Sequence, residues 1–278
     1  MFNEGSLPAK FDFLWGYTEV RNYSTHVPAR KYKHVISVDC ADFSRIGQVS
    51  ECFDDDAELL NIDHHPTNDG FGTVQLIQPD AAATVEILYD LAHELEVELS
   101  PELSTSLYTG LLTDTGGFRY SNTTAKVMAI ASELLAEGVQ GSSIAETVLE
   151  KLTFGQVSMI RKALATLSLD ESGEIAWICV STQDIAETGV SNEDLDGLVN
   201  YPRNIEGVEV GLLFKQRDDR TVKVSLRSAG KVDVAQIAKS LGGGGHVKAA
   251  GCTLTGTLEE AVRKMVQEVG KSLHEAGA

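Results

Sequence analysis

The first continuous apolar run of the chain lies within residues 34–39, where Val35-Ile36-Ser37-Val38 precedes Asp39, and it is short enough to read as a buried strand. A second run at 58–62 leads directly into Asp63-His64-His65. The period then turns helical: Val85, Leu88, Ala92 and Leu95 recur at three- and four-residue steps and share one face. Ser100-Pro101 offers an N-cap followed by a proline at the first helical position, which starts a helix through Leu103, Leu107 and Leu111. Further helices are expected near 123–137 and 142–150, and another at 153–167 with Val157, Ile160, Leu164 and Leu167 on one face. Strand-like runs return at 175–180, 208–214 and 222–226, with short helices between them. The chain closes on an amphipathic helix bearing Leu258, Val262, Met265, Val269 and Leu273. This order predicts an α/β protein of two domains, 1–152 with a parallel sheet and 173–278 with a smaller mixed α/β fold, joined by a helical connector at 153–172.

Composition narrows the function classes. The 278 residues are 42% hydrophobic and 23% charged, ordinary for a globular protein, but the formal charge is −18. So acidic a surface does not suit sequence-blind clamping of long duplex DNA, which draws on many cationic phosphate contacts. It leaves room for a small phosphate ligand, because bound metals or a few local cations reverse the field within one cleft. Cys40, Cys52, Cys179 and Cys252 form no Cys-x-x-Cys pair, so reduced thiols and a cytoplasmic location are expected. No apolar run approaches the roughly 20 residues that cross a bilayer, so no membrane partner is expected.

Two strands end in groups that bind divalent metals, Asp39 after the first and Asp63-His64-His65 after the second. In an open parallel sheet the carboxyl ends of strands face the ligand crevice, so these two ends can meet. Asp114 closes the helix through Leu111 and precedes Thr115-Gly116-Gly117, a turn able to bring its carboxylate toward a ligand. Carboxylates with imidazoles suit Mn²⁺ or a similar ion, and the lack of thiolates argues against structural zinc. Taken singly, Asp39 and Asp114 read more simply as turn formers or helix caps. Adjacent histidines after a buried strand are harder to explain without partners or a metal. His26, His34, His93 and His274 stand alone and read as surface or packing residues.

Near the end, Gly242-Gly243-Gly244-Gly245-His246 is followed by Ala249-Ala250-Gly251. A run of four glycines permits positive φ and leaves N–H groups open, as an anion-cradling loop needs, although a flexible surface loop has the same composition. It matches neither a P-loop nor a G-x-G-x-x-G fingerprint. Arg227-Ser228 ends the strand at 222–226 and adds a bidentate phosphate donor beside a hydroxyl.

In this order the motifs resemble the DHH phosphoesterases. Val38-Asp39-Cys40-Ala41-Asp42, Asp63-His64-His65 and Thr113-Asp114-Thr115-Gly116-Gly117-Phe118 are similar to three motifs of their N-terminal domain. Arg227-Ser228, Val232-Asp233-Val234-Ala235, Gly242–His246 and Ala249-Ala250-Gly251 are similar to the DHH-associated C-terminal domain. Order and spacing most resemble the NrnA-type oligoribonucleases, which also act as 3′-phosphoadenosine-5′-phosphate phosphatases. The resemblance implies a phosphoesterase using two divalent ions, Mn²⁺ foremost. Asp39 would bridge them, His64 and Asp114 would bind one, His65 would contact the scissile phosphate, and Asp63 would orient a neighbouring imidazole. Arg227, Ser228, Gly243, Gly244, Gly245 and His246 would hold the terminal nucleotide. Substrates would be short single-stranded oligonucleotides or nucleotides, and a homodimer is compatible with the family.

The family's first motif, His-x-x-Pro-Asp-Gly-Asp, has no counterpart ahead of Asp39. The resemblance therefore predicts an N-terminal domain short of one β-α unit, one metal site short of ligands, and a true start upstream of Met1. Two other readings stay open: hydrolysis of cyclic or linear dinucleotides, and a non-catalytic nucleotide-binding protein that has lost its metals. The glycine-histidine motif argues against the family's inorganic pyrophosphatases, and the length leaves no room for the extra domains of RecJ-type nucleases.

Overall fold

The computed structural model describes residues 1–5, 7–191 and 193–277, and the chain divides into two compact units, Met1–Lys151 and Leu152–Ala278. In the first, β1 (Phe2–Asn3) and β2 (Arg21–Asn22) form a small parallel pair. The main sheet is parallel and runs β3 (Tyr32–Val38), β4 (Phe53–Asp63), β5 (Val74–Ile77). Pairing of Val38 with Ile62 sets the carboxyl ends of β3 and β4 side by side. That register brings Asp39 next to the Asp63-His64-His65 turn. Helix α1 (Thr84–Glu94) covers one end of this sheet, with Ile87, Leu88 and Leu91 packed against Leu60, Ile62 and Leu76. Among the described strands β3 pairs with β4 alone, and Ile36 and Val38 on it are exposed.

The rest of the first unit is helical. In α2 (Pro101–Asp114) the Ser100 side chain accepts from the Leu103 amide and Pro101 sits in the first turn, as the sequence predicts. Thr124 caps α3 (Ala125–Ala136) in the same way. Leu107, Leu111, Val127, Ile130 and Leu134 form the core between these helices. The helix expected at 142–150 begins as α4 (Gly141–Ala145) and finishes as a wider π turn over Glu146–Glu150, closed by the Lys151 amide on the Glu146 carbonyl.

The segment 153–172, expected as a connector, holds α5 (Phe154–Leu164) and then a short strand, β6 (Ser168–Leu169). Met159 and Ala163 of α5 are buried against Ile178, Val180 and Leu213, so the helix is part of the second unit's core. That unit's sheet also contains β7 (Ile175–Val180), β8 (Val210–Asp218), β9 (Thr221–Ser228), β10 (Gly244–His246) and β11 (Ala249–Thr255), in the order β10-β11-β9-β8-β7-β6. Only β7 and β8 run parallel, so the sheet is mixed. Between β9 and β10 lies α8, after α6 (Thr182–Thr188) and α7 (Asn200–Arg203); α8 spans Val234–Ser240, and α9 (Leu258–Gly277) ends the chain.

Side chains alternate across the sheet. Leu212, Phe214, Val224 and Leu226 meet α8 and α9 on one face, while Leu213 meets α5 on the other. Burial on both faces explains why 210–214 reads as a continuous apolar run. Leu212→Ala is expected to cost about 2–5 kcal/mol, because a fully buried central strand collapses little around a cavity. Urea unfolding measures this, and a loss under about 1 kcal/mol would contradict the packing described.

Candidate metal centre

The strand ends deliver their side chains to one place. Asp39 follows β3 with a positive φ of 58°, a conformation uncommon outside glycine, while its amide donates to the Ile62 carbonyl at 3.0 Å. Its Oδ1 lies 3.6 Å from His64 Nε2 and 4.0 Å from His65 Nδ1. Asp114, at the end of α2, places Oδ2 3.9 Å from the same His64 Nε2. Among the described residues, Asp39, His64 and His65 are the group whose ligating atoms all lie within 4.8 Å of one another. Asp114 stands at the rim of this group through its approach to His64.

The histidines are oriented from behind. His64 Nδ1 donates to the Ala81 carbonyl at 3.1 Å, so in the neutral ring Nε2 carries the lone pair. That lone pair faces two carboxylates, which only a proton or a cation reconciles. The donor set of two carboxylates and imidazole nitrogen therefore fits a divalent ion. His65 Nδ1 donates to Asp63 Oδ1 at 2.7 Å, and Asn68 Nδ2 donates to Asp63 Oδ2 at 2.6 Å. Asp63 is fully buried. Burial pushes its carboxyl up, but the His65 and Asn68 hydrogen bonds outweigh that and hold it below the usual carboxylate range. Asp114 is shifted the other way: burial, then the nearby Asp39 charge, raises its pKa.

Four supporting residues carry no distinctive sequence signal. Thr84 Oγ1 donates to Asp39 Oδ1 at 2.7 Å. Glu86, buried, accepts from the Ala82 amide at 2.8 Å and pairs with Lys126 at 3.1 Å, which fixes the turn that presents the Ala81 carbonyl and Thr84. Asn122 donates to both the Ala82 and Asp114 carbonyls, tying that turn to the end of α2. Asn68 is the fourth; its position three residues after His65 is its only clue.

In the second unit, Arg227 sits at the end of β9 opposite Ala249, with Nη1 donating to the Leu226 carbonyl at 3.0 Å. Ser228, expected to face a phosphate, is buried and its hydroxyl donates to Glu209 at 2.9 Å. The glycine run, expected as an open loop, is partly a strand: Gly244, Gly245 and His246 pair with Gly251, Ala250 and Ala249. A Cβ on Gly243 would run into the Gly251 carbonyl and the Cys252 side chain, so glycine serves close backbone approach there. His246 is exposed at the end of this hairpin.

Residues 7–111 match the DHH family, N-terminal domain, and residues 175–275 match the DHHA1 domain. The chain is 38% identical over 248 residues to the bifunctional oligoribonuclease and PAP phosphatase NrnA of Thermus thermophilus, covering 87% of this chain and 72% of that protein. The chain belongs to the DHH/DHHA1 phosphoesterases. A second relative, the bifunctional oligoribonuclease and PAP phosphatase NrnA of Bacillus subtilis, is 28% identical and covers 91% of this chain and 79% of its own length. In fold, the chain is similar to an exopolyphosphatase-related protein from Bacteroides fragilis, with a TM-score of 0.90 at 24% identity, covering all of this chain and 84% of that one. Among the described residues no helix is long and apolar enough to cross a membrane.

For a DHH phosphoesterase with this donor cluster, removing the hydroxyl behind Asp39 is expected to loosen the ion rather than the fold. Thr84→Val should weaken Mn²⁺ binding by about tenfold, as losing a ligand's supporting hydrogen bond commonly does. Titration calorimetry reads this directly, and an unchanged affinity would separate Thr84 from the metal centre.

Proposed function

We propose that the chain is a Mn²⁺-dependent hydrolase that cleaves short oligoribonucleotides to mononucleotides, 3′-phosphoadenosine-5′-phosphate to AMP, or both. The observation that carries this reading is the convergence of Asp39, His64 and His65 within 4.8 Å, with His64 Nε2 turned toward two carboxylates. The substrate class follows from the named activities of the relatives. Asp39, His64 and Asp114 would hold a divalent ion, and Asp39 would be the residue shared with a second ion. When bound, a divalent ion supplies Lewis-acid charge that activates water and offsets charge on the attacked phosphate.

The remaining steps belong to the protein's own groups. His65, whose Nδ1 is held by Asp63, would face the scissile phosphate through Nε2 and, with that nitrogen protonated, would give the proton to the leaving oxygen while the Asp63 carboxylate offsets the charge of the ring. Arg227 and exposed His246 offer donors for the phosphate of a terminal nucleotide. A grip on one chain end favours short substrates, which agrees with a surface of charge −18.

Product analysis with 5′-phosphorylated diadenylate, 3′-phosphoadenosine-5′-phosphate and a cyclic dinucleotide tests the reading. AMP from one or both of the first two is the expected result. Turnover of the cyclic substrate alone would favour the dinucleotide phosphodiesterase instead. Nucleotide binding without turnover of any substrate would favour the non-catalytic reading.

A further inference from the structure

The first residue before β8 is Glu209, which is 4% exposed. A buried carboxylate is costly unless its charge is met. Among the described residues the charge is met by hydrogen-bond donors and by no Lys or Arg side chain. Glu209 Oε1 accepts from Ser228 Oγ at 2.9 Å and from three successive amides: Gly230 at 2.9 Å, Lys231 at 2.6 Å and Val232 at 3.2 Å. The Ala229 amide also donates to the Glu209 carbonyl at 2.7 Å. Three consecutive N–H groups converging on one oxygen form an anion nest. The nest expected at the glycine run thus lies instead at 230–232, and it is filled by a side chain of the protein. These bonds outweigh the effect of burial and hold the Glu209 carboxyl below its ordinary range.

The loop that Glu209 anchors connects the candidate nucleotide contacts. Arg227 precedes Ser228 directly. On the other side, the Ser228 amide donates to the Lys248 carbonyl and the Val234 amide to the Val247 carbonyl, both at 3.0 Å. Those acceptors belong to the turn that follows His246. Loop 228–234 is therefore stapled to the turn of the glycine hairpin at both ends and to Glu209 at its centre. Ser228 cannot face a phosphate in this arrangement, since its hydroxyl donates to Glu209 and accepts from the Gly230 amide at 2.9 Å.

We infer that Glu209 is a positioning residue for nucleotide recognition: with Ser228 it holds loop 228–234 so that Arg227 and His246 keep a fixed spacing for a terminal nucleotide phosphate. The inference rests on the proposed hydrolase reading for the identity of that ligand. Glu209 itself touches no substrate; its effect passes through the loop. Gly230 belongs to the same device. Its φ of 141° is one that side-chain-bearing residues rarely adopt, and a Cβ there would approach the Lys248 side chain at 3.4 Å.

The test measures AMP binding by calorimetry in the full chain, together with KM, kcat, Mn²⁺ affinity and melting temperature. Glu209→Gln keeps the volume and removes the charge that the three amides share. It is expected to raise both the AMP Kd and the KM by about tenfold, the size of effect that weakened bonds to a charged acceptor produce. The kcat should stay within about twofold and Mn²⁺ affinity should not change, because the chemical step uses other residues. Gly230→Ala strains the same loop from the opposite side and should raise KM and the AMP Kd in the same direction. If Glu209→Gln does not fold, Gly230→Ala decides on the same readouts. Folded variants with lowered melting temperatures but wild-type AMP Kd and KM would overturn the inference, leaving Glu209 a structural anchor only. A wild-type chain that binds no AMP would overturn the hydrolase reading, and the inference with it.

Discussion

Asp39→Ala is expected to lower Mn²⁺-dependent turnover by about 10³-fold or more, the scale of losing several kcal/mol of charge stabilisation at the phosphate. Asp39 is the carboxylate that approaches both histidines, with Oδ1 at 3.6 Å from His64 and 4.0 Å from His65. Its removal takes the carboxylate away from His64 Nε2 and leaves Thr84 Oγ1 without its acceptor. The fold should survive, because the side chain is 54% exposed and carries no packing of the core. Initial-rate assays beside a melting curve measure both effects. A variant that keeps more than about a tenth of wild-type turnover would remove Asp39 from the reacting centre.

The second large effect concerns a residue that need not touch substrate. Asp63 is fully buried and accepts two donors, one on each oxygen. Asparagine at this position has the same shape but turns one oxygen into a donor. Either Asn68 or His65 then meets N–H against N–H. If His65 switches tautomer to escape this, its Nδ1 takes the lone pair, and the charged ring that would serve the leaving oxygen no longer has a carboxylate behind it. Asp63→Asn is therefore expected to reduce turnover by about 10²–10⁴-fold, the range of a wrongly protonated catalytic imidazole. Stability should also fall by about 1–3 kcal/mol through the unpaired buried donor.

The same carboxylate sets an acid limit. Its pKa is lower in the folded chain than in the unfolded one, so its contribution to stability is complete above the ordinary carboxylate range near about 4. Protonation of the unfolded chain begins there, and the contribution is lost as the pH falls through the folded value. Wild-type urea midpoints measured from pH 6 downward should drop more steeply than those of Asp63→Asn. Parallel curves would show that Asp63 is not the group responsible.

The placement of the candidate metal donors was legible in the sequence because they sit at strand and helix ends that the apolar pattern marks. The run before Asp39 and the run before Asp63 became β3 and β4, and parallel pairing did bring their ends together. Ser100-Pro101 marked the start of α2, whose end carries Asp114. Local pattern failed where tertiary contacts decide. Strand β5 has four residues between glycine-rich and turn segments, too few for a periodic signal, and its pairing with β4 makes it a strand. Glycines have low strand propensity, so β10 exists only because β11 lies beside it.

Thr84, Glu86, Asn68 and Glu209 were invisible for a related reason. Each is an ordinary polar residue with a partner distant in the chain: Asp39 for Thr84, Lys126 for Glu86, the Cys40 carbonyl for Asn68 and Ser228 for Glu209. Ser228 shows the converse: its sequence setting suggested a phosphate contact, and burial against Glu209 gave it a different partner. Motif types name the chemistry of a residue, while its packing decides which atoms remain available to a ligand.

The most direct test of the metal-dependent phosphoesterase reading is the release of AMP from 5′-phosphorylated diadenylate or 3′-phosphoadenosine-5′-phosphate by the purified 278-residue chain, followed with and without Mn²⁺. Release that requires Mn²⁺, stops on adding EDTA and is absent from Asp39→Ala is the predicted result. AMP release that persists in EDTA, or no release from either substrate at any Mn²⁺ concentration, would contradict it.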